Sequence, residues 1–213
     1  PMDIYFTSCG TEADNWAVKG VAHKMKKDGK KHLITTVIEH HAILHAMHAL
    51  EEDGFEVTYL PADSGGRVRP ESVRDALRPD TAMVSVMYAN NELGTIQPVE
   101  EIGALCRKAG VIFHTDAVQA AGTLPIGVVA QNIDMMSVSA HKFHGPKGVG
   151  FLYCRRGLYP DNFMDGGAQE RGHRAGTENV AGIVGMAAAL KEACGSLDEK
   201  ARHLSSLRDR VQE

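Results

Sequence analysis

The segment Ser137–Gly148 brings together residue types that can attack and hold an electrophilic, anionic ligand. Lys142 follows the apolar, β-prone run Met135–Val138 and precedes a loop rich in glycine and proline. A lysine held at the end of a buried strand loses part of its ammonium character and can attack a carbonyl carbon. The hydroxyl of Ser139 and the imidazole of His141 suit an anionic group. We therefore predict that Lys142 is a buried nucleophile of the kind that forms a Schiff base.

Asp116 is a second candidate for chemistry, because it ends an apolar run where an unpaired carboxylate would be costly. A cationic ring nitrogen beside it would compensate the charge and keep the ring an electron sink. Gln119, further along the chain, could reach the same ring. Asp116 and Lys142 lie at candidate strands separated by one crossover, which suits two groups that hold one ring. The competing interpretation is an aspartate that caps a helix.

Three further strand ends carry polar groups. The turn Ser8–Thr11 has small residues that let backbone N–H groups approach a phosphate at a helix N-terminus, with Thr11 as N-cap, although plain capped turns look the same. His40 follows the second predicted strand and could lay its ring over a planar cofactor. An amide in Asn90–Gly94 could donate to a phenolate oxygen or could simply form a polar turn.

Two other segments have weaker signals. The basic loop Arg171–Asn179, capped by Thr177, could contact a phosphate or an acidic substrate, or it could be an ordinary helix start. His41 and His45 are spaced to share one helical face, but the sequence places no third ligand beside them. We predict no metal site, and a zinc-binding histidine module is the weakest of the alternatives.

Apolar runs alternate with amphipathic segments along the whole chain, in a β-α-β order. Several strand candidates are apolar on both faces, as in a sheet covered on both sides. The pattern predicts an α/β fold with a mainly parallel central sheet and helices on both faces. Ligands in such sheets bind at the carboxyl ends of the strands. The predicted strands are Ile4–Ser8, His32–Ile38, Glu56–Leu60, Ala82–Tyr88, Val111–Asp116, Met135–Ser139 and Val149–Cys154. The predicted helices are Thr11–Lys27, His41–Asp53, Pro70–Leu77, Val99–Ala109 and Glu178–Cys194, with a charged helical pattern from Leu197.

Composition limits the classes of function. The chain has 213 residues, 43% of them hydrophobic, and a formal net charge of −4, so bulk electrostatics favours neither nucleic acid nor an anionic membrane. No apolar run approaches the roughly 20 residues that span a bilayer, and no signal peptide is visible. The four cysteines form no CxxC pair, which favours a reducing, cytoplasmic compartment.

The candidate segments also form a series with a characteristic order and spacing. Its members are Thr7–Asn15, Glu39-His40, Asn90–Gly94, His114–Gln119, Ser139–Lys142 and Arg171–Thr177. This series resembles the cysteine desulfurase family, within the class V aminotransferase-like group of fold-type I pyridoxal-phosphate enzymes. One such motif would be a weak signal, whereas six in order are a strong one. The resemblance runs from about Asp3 to Ala201.

The resemblance implies pyridoxal 5′-phosphate as the cofactor and gives each candidate residue a role. Lys142 would bind the cofactor covalently and then move the substrate α-proton, and His40 would stack on the ring and transfer protons. Asp116 would pair with the ring nitrogen. Thr177 would reach the phosphate of the cofactor in the partner subunit of a homodimer. Asn91 and Gln119 would hold the phenolic oxygen side of the ring, and Gly10, Thr11, Ser139 and His141 would bind the phosphate.

The implied reaction converts L-cysteine to L-alanine and leaves the sulfur as a persulfide on an enzyme cysteine, for delivery to a sulfur-acceptor or iron–sulfur scaffold protein. The family's acceptor cysteine lies downstream of the Thr177 motif, beyond the end of this chain. We therefore expect residues 1–195 to be an N-terminally truncated cofactor-binding domain and residues 196–213 to begin a helix towards a small C-terminal domain. Full desulfurase activity is not expected. Cys106, Cys154 and Cys194 are interpreted as structural.

Two alternatives to this function remain open at the level of the sequence. A selenocysteine lyase or another class V lyase would share most of these motifs. A non-catalytic fragment or scaffold that donates contacts for sulfur assembly would need no cofactor, although the presence of Lys142, Asp116 and His40 argues against it.

Overall fold

The computed structural model describes residues 2–212, which form a seven-stranded sheet with helices on both faces. The strands are β1 (Ile4–Thr7), β2 (His32–Thr36), β3 (Glu56–Leu60), β4 (Thr81–Ser85), β5 (Ile112–Asp116), β6 (Met135–Ser139) and β7 (Gly150–Cys154). The helices are α1 (Gly10–Lys26), α2 (His41–Glu52), α3 (Pro70–Ala76), α4 (Val99–Ala109), α5 (Gln169–Gly172), α6 (Val180–Cys194) and α7 (Leu197–Gln212). A 3-10 turn, Ala140–Phe143, follows β6.

The sheet has the strand order β1-β7-β6-β5-β4-β2-β3. Strands β3, β2, β4, β5 and β6 run parallel to one another, whereas β7 is antiparallel to both β6 and β1. The predicted mainly parallel α/β fold is therefore confirmed. Because the parallel strands point the same way, the segments that follow them meet at one edge of the sheet.

Both faces of the sheet are buried, which explains why its strands lack an alternating polar pattern. Successive side chains of a strand point to opposite faces. Leu33 and Met83 accordingly pack with α1 and α2, while the adjacent Ile34 and Val84 join a separate core under α3, α4 and α6. The two cores hold the central strands rigidly, so the loops at their carboxyl ends have a fixed platform.

The start of α1 differs from the prediction. The helix begins at Gly10, and Cys9 takes the N-cap position without a side-chain hydrogen bond, so the cap assigned to Thr11 is wrong. The carboxylate of Glu12 instead accepts a hydrogen bond from the backbone N–H of Ser8 at 2.8 Å. A side chain one turn inside the helix thus fixes the chain just outside it, and Thr11 is free to face the sheet edge.

The end of the long connection from β7 also differs. Helix α6 begins at Val180 rather than at Glu178. The side-chain oxygen of Asn179 accepts a hydrogen bond from the backbone N–H of Gly182 at 3.0 Å, so Asn179 caps this helix and Thr177 does not. An oxygen one residue before the first turn reaches its N–H groups, whereas Thr177 lies too far upstream.

No single helix within residues 2–212 is long and apolar enough to cross a membrane. Among the helices of the described residues, α6 and α7 taken together, which meet at a bend of 71°, meet the test by length and composition alone.

Candidate active site

A pocket opens where β5, β6 and the N-terminus of α1 meet at the carboxyl edge of the parallel strands. Nine of the ten predicted site residues line it, and Thr177 is the exception. The pocket is lined by Cys9, Gly10, Thr11, Asp14, His40, Met87, Asn91, Asp116, Val118, Gln119, Ser139, His141 and Lys142. The structure therefore gathers residues that are scattered over most of the chain into one cavity, as the strand-end rule predicts.

One end of the pocket suits a phosphate group. The first backbone hydrogen bond of α1 runs from the N–H of Ala13 to the carbonyl of Cys9, so the N–H groups before it lack an intrahelical partner. A Cβ on Gly10 would lie 2.7 Å from Cγ2 of Val118, so only glycine allows this close approach. The hydroxyl of Ser139 and the imidazole of His141 add side-chain hydrogen-bond donors at this end of the pocket. Ser139 Oγ lies 3.0 Å from Nδ1 of His141.

The opposite end holds Asp116, the last residue of β5, which is 5% exposed. Its Oδ1 accepts a hydrogen bond from the backbone N–H of Val118 at 2.9 Å. Burial raises the pKa of Asp116, while this hydrogen bond and the nearby basic side chains of His40 and Lys142 act to lower it. A cationic ring nitrogen would offset the burial cost, so a carboxylate in this position fits a pyridinium partner.

Lys142 lies in the 3-10 turn after β6 and is exposed, so the prediction of a buried lysine is wrong. The turn lifts it off the sheet edge, and its neighbours Ala140 and Phe143 are the buried members of that turn. Lys142 still lines the pocket that contains Asp116. Any reactivity of Lys142 therefore depends on the pocket and a ligand in it rather than on burial of the free amine.

His40 connects β2 to α2 and is held by the helix that it starts. Its Nδ1 accepts a hydrogen bond from the backbone N–H of Ala42 at 3.1 Å. In the neutral ring, the proton is therefore on Nε2. The ring is exposed at the mouth of the pocket with a fixed orientation, as a stacking residue requires.

Asn90 and Asn91 are adjacent in one turn, but Asn90 is buried and Asn91 is exposed. Asn90 is buried, donates to the carbonyl of Ile38 at 2.9 Å and accepts from the N–H groups of Glu92 and Leu93. It therefore ties this turn to the segment that carries His40. Asn91 is exposed and faces the pocket, so its amide is available to a ligand.

A buried polar group beneath the pocket was not predicted. Burial raises the pKa of Glu39 to about 8, although Glu39 accepts hydrogen bonds from the N–H of Met87 at 2.9 Å and from the hydroxyl of Thr36 at 2.7 Å. Burial lowers the pKa of His114 to about 3, so this ring is neutral. Asp14 completes the group, on the same face of α1 as the apolar residues Ala17 and Val18. That position in the helical repeat was the one signal available in the sequence.

Comparison with known proteins decides the family. The sequence pattern described as aminotransferase class-V matches residues 1–213. The chain belongs to the class-V aminotransferase family. The cysteine desulfurase resemblance seen in the motifs is confirmed, because proteins named cysteine desulfurase IscS match nearly the whole chain. Members of these families depend on pyridoxal phosphate.

Two curated relatives show how far the match extends. The cysteine desulfurase IscS of Clostridium botulinum is 55% identical over 209 residues, which cover 98% of this chain and 52% of the relative. The IscS of Methanosarcina thermophila is 55% identical over 211 residues, covering 99% of this chain and 52% of the relative. The class-V chain thus spans about half the length of the curated relatives it matches.

Solved structures confirm the fold of this family. A NifS-like protein superposes with a TM-score of 0.96 at 47% identity, over 99% of this chain and 58% of its own. DndA from Streptomyces lividans superposes with a TM-score of 0.94 at 40% identity, over 100% of this chain and 61% of its own. SspA, solved in complex with cysteine, superposes at 0.87 and 42% identity, over 90% of this chain and 55% of its own.

Thr177 lies outside the main pocket of this class-V chain. It is exposed and lines a second hollow together with Ser8, Gly148 and Arg174. Two basic side chains of the Arg171–Asn179 loop form contacts within the chain. Arg174 binds Glu12 through Nε at 2.7 Å and Nη2 at 3.0 Å, and Arg171 donates to the carbonyl of Ile4 at 2.7 Å. The basic side chains therefore anchor the loop to β1 and α1.

The four cysteines differ in their surroundings. Cys106 and Cys154 are buried, and burial raises the pKa of each thiol to about 12, in agreement with a structural role. Cys194, at the end of α6, is exposed, so the structural interpretation fails there because no core covers the thiol. Cys9 lines the main pocket. Within residues 2–212, no group of three or more histidine, cysteine or acidic side chains could hold a metal ion.

Proposed function

We propose that this chain carries the cofactor-binding and substrate-activating part of a pyridoxal-phosphate-dependent cysteine desulfurase, which converts L-cysteine to L-alanine and passes the sulfur to an enzyme cysteine as a persulfide. The observation that carries the proposal is the presence of Lys142, Asp116 and His40 in one pocket. The names of the relatives support the desulfurase activity, and the SspA complex with cysteine supports the substrate.

The residues of the pocket fit the cofactor at both ends. The N-terminus of α1, with Gly10 and Thr11, offers free N–H groups to the phosphate, and Ser139 and His141 add side-chain donors. Asp116 supplies a negative charge to the ring nitrogen. Asn91 and Gln119 line the same pocket, and their amides would hold the phenolic oxygen side of the ring.

Proton transfer falls to side chains at the mouth of the pocket. When bound, the cofactor stores the electrons released from the substrate α-carbon. Lys142 is exposed there, so its amine would be the group that takes the α-proton of the bound substrate. Because Nδ1 of His40 accepts a hydrogen bond from the backbone, Nε2 is the ring atom left to exchange a proton with the substrate, which makes His40 the second group for proton transfer.

We further propose that the active protein is a homodimer in which Thr177 binds the cofactor phosphate of the partner subunit. The position of Thr177, exposed and outside the pocket of its own chain, supports this role. For the sulfur acceptor we propose a cysteine outside residues 1–213. Burial of Cys106 and Cys154, and the position of Cys194 away from the pocket, support this assignment. Cys9 does line the pocket, but at the N-terminus of α1 beside Gly10, which is the end that we assign to the phosphate.

Reconstitution of the purified chain with pyridoxal phosphate tests the proposal. We expect a visible absorption band of lysine-bound cofactor that shifts when L-cysteine is added, and no band in Lys142→Ala. Lys147→Ala, which removes an exposed lysine of the same loop outside the pocket lining, is the matched control. Absence of the band in the unaltered protein would contradict cofactor binding. Persulfide formation by the 213-residue chain alone would contradict the external sulfur acceptor.

A further inference from the structure

Asp14 is the least satisfied polar side chain of the pocket. It lies in α1, lines the pocket and is 1% exposed. Its Oδ1 has no hydrogen-bond partner within residues 2–212. A buried ionised carboxylate without a partner is strongly disfavoured, and such groups normally take up a proton instead. Asp14 therefore has no role as an ion pair in the fold.

The groups around Asp14 do not supply a compensating charge. The acidic side chains Asp116 and Glu39 both act to raise its pKa, as does Cys9 more weakly, and burial is the largest cause. The nearby hydroxyl of Ser137 acts in the opposite direction and lowers the pKa of Asp14. The basic side chains at the mouth of the pocket, His40 and Lys142, act on Asp116 instead.

His114 is the nearest basic side chain, and its bonds prevent it from pairing with Asp14. Its Nε2 is 3.8 Å from Oδ1 of Asp14, longer than a hydrogen bond. Both ring nitrogens are already engaged, Nδ1 with Ser85 Oγ and Nε2 with Ser137 Oγ, each at 2.9 Å. A neutral imidazole held by two hydroxyls leaves the Asp14 carboxyl without a cation.

We propose that Asp14 serves the cofactor pocket as a neutral carboxylic acid, a positioning residue that leaves Asp116 as the only carboxylate beside the ring nitrogen. This inference rests on the proposed function. A second negative charge close to a buried carboxylate is disfavoured, so one of two neighbouring buried carboxyl groups keeps its proton. A single ring cation then forms one ion pair, with Asp116, rather than dividing its charge between two acids.

The test compares three substitutions by cofactor dissociation constant and by the pH profile of the visible band. Asparagine keeps the shape and neutrality of a protonated aspartate, so Asp14→Asn should weaken cofactor binding less than threefold and leave the pH profile in place. Asp14→Leu, which removes the polar atoms, should weaken binding at least tenfold. Asp116→Asn should weaken binding at least tenfold and displace the pH profile. Equal losses in Asp14→Asn and Asp116→Asn would overturn the proposal.

An infrared measurement separates failure of this inference from failure of the proposed function, because it needs no cofactor. The carbonyl-stretch band of a protonated carboxyl group should be present at pH 7 and should lose intensity in Asp14→Asn. Glu39→Gln is the positive control, because the carboxyl group of Glu39 should also be protonated at pH 7 and its removal should lower the intensity of the same band. An unchanged band in Asp14→Asn shows that Asp14 is ionised and overturns the proposal, whether or not the chain binds pyridoxal phosphate.

Discussion

Glu12 and Asp14 are acidic residues two positions apart in α1, but their hydrogen-bond partners differ and the directions of their pKa shifts are opposite. Glu12 receives hydrogen bonds from Nε and Nη2 of Arg174 and from the backbone N–H and hydroxyl of Ser8. Asp14 is buried more deeply, and its Oδ1 receives none. Donors around Glu12 outweigh its burial and lower its pKa, whereas burial raises the pKa of Asp14 well above its usual range.

The difference in hydrogen bonding distinguishes a structural acid of α1, Glu12, from an acid that lines the cofactor pocket, Asp14. The pair of Glu12 and Arg174 joins the start of α1 to the loop that carries Thr177, so it fixes two parts of the site relative to each other. An acid with a complete set of partners stabilises the fold, whereas an acid without them remains available to a ligand. Unsatisfied polar groups in a buried pocket are therefore the better guide to function.

Removing the partner of Glu12 should give the largest loss of stability. Arg174 is 15% exposed and Glu12 is 8% exposed, so Arg174→Gln leaves a nearly buried carboxylate unpaired. We expect the free energy of unfolding to fall by about 3–5 kcal/mol, measured by urea denaturation. Glu12→Gln combined with Arg174→Gln should recover part of the loss. Equal stability of Arg174→Gln and the unaltered protein would show that the pair contributes nothing.

Glu39 should make the protein less stable as the pH rises. Its pKa is about 8 in the folded chain and about 4.5 unfolded, so the folded state binds more protons between these values. The stabilisation is complete below about pH 4.5 and is lost on the way to about pH 8, by up to about 1.4 kcal/mol per pH unit. Glu39→Gln should flatten this slope in urea unfolding series. An unchanged slope would show that Glu39 is ionised when folded.

Glu12 should contribute the opposite pH dependence, because its folded pKa is lowered. Its stabilisation is present above the unfolded pKa of about 4.5 and is lost as the pH falls through the lower folded value. Glu12→Gln should therefore reduce the loss of stability on acidification, in the same denaturation series extended below pH 4.5. A steeper acid loss in this variant would contradict the assignment.

Gly10→Ala should affect the phosphate end of the pocket more than the fold. Its Cβ would lie 2.7 Å from Cγ2 of Val118, so we expect an overpacking cost of about 1–3 kcal/mol together with weaker cofactor binding. Gly127→Ala is the matched control, because its Cβ would meet only Ala130 at 3.7 Å. Val118→Ala should restore cofactor affinity to Gly10→Ala, and failure of that rescue would exclude a steric cause.

An exposed ion pair should give the smallest effect. Arg74 and Asp75 form a contact of 2.8 Å, but their side chains are 58% and 67% exposed. Water and salt screen such pairs, and many contribute nothing measurable. Arg74→Gln should leave the urea midpoint unchanged. A loss comparable to that of Arg174→Gln would mean that burial does not explain the difference between the two arginines.

The sequence predicted most of the pocket because the carboxyl ends of parallel strands converge. That rule alone places Asp116, Ser139 and His40 together without any knowledge of side-chain contacts. It could not give the exposure of Lys142, which depends on the geometry of the turn after β6. The partner of Glu12 lies 162 residues away along the chain, and no local pattern marks it.

The central claim, that Lys142 binds the cofactor in a pocket completed by Asp116, is tested most directly by trapping that bond. The chain is incubated with pyridoxal phosphate, reduced with borohydride, digested and mapped by mass spectrometry. We predict that Lys142 carries the added cofactor mass, that Lys147 does not, and that Asp116→Asn lowers the labelled fraction. Labelling spread equally over Lys142, Lys147 and other exposed lysines would contradict the account.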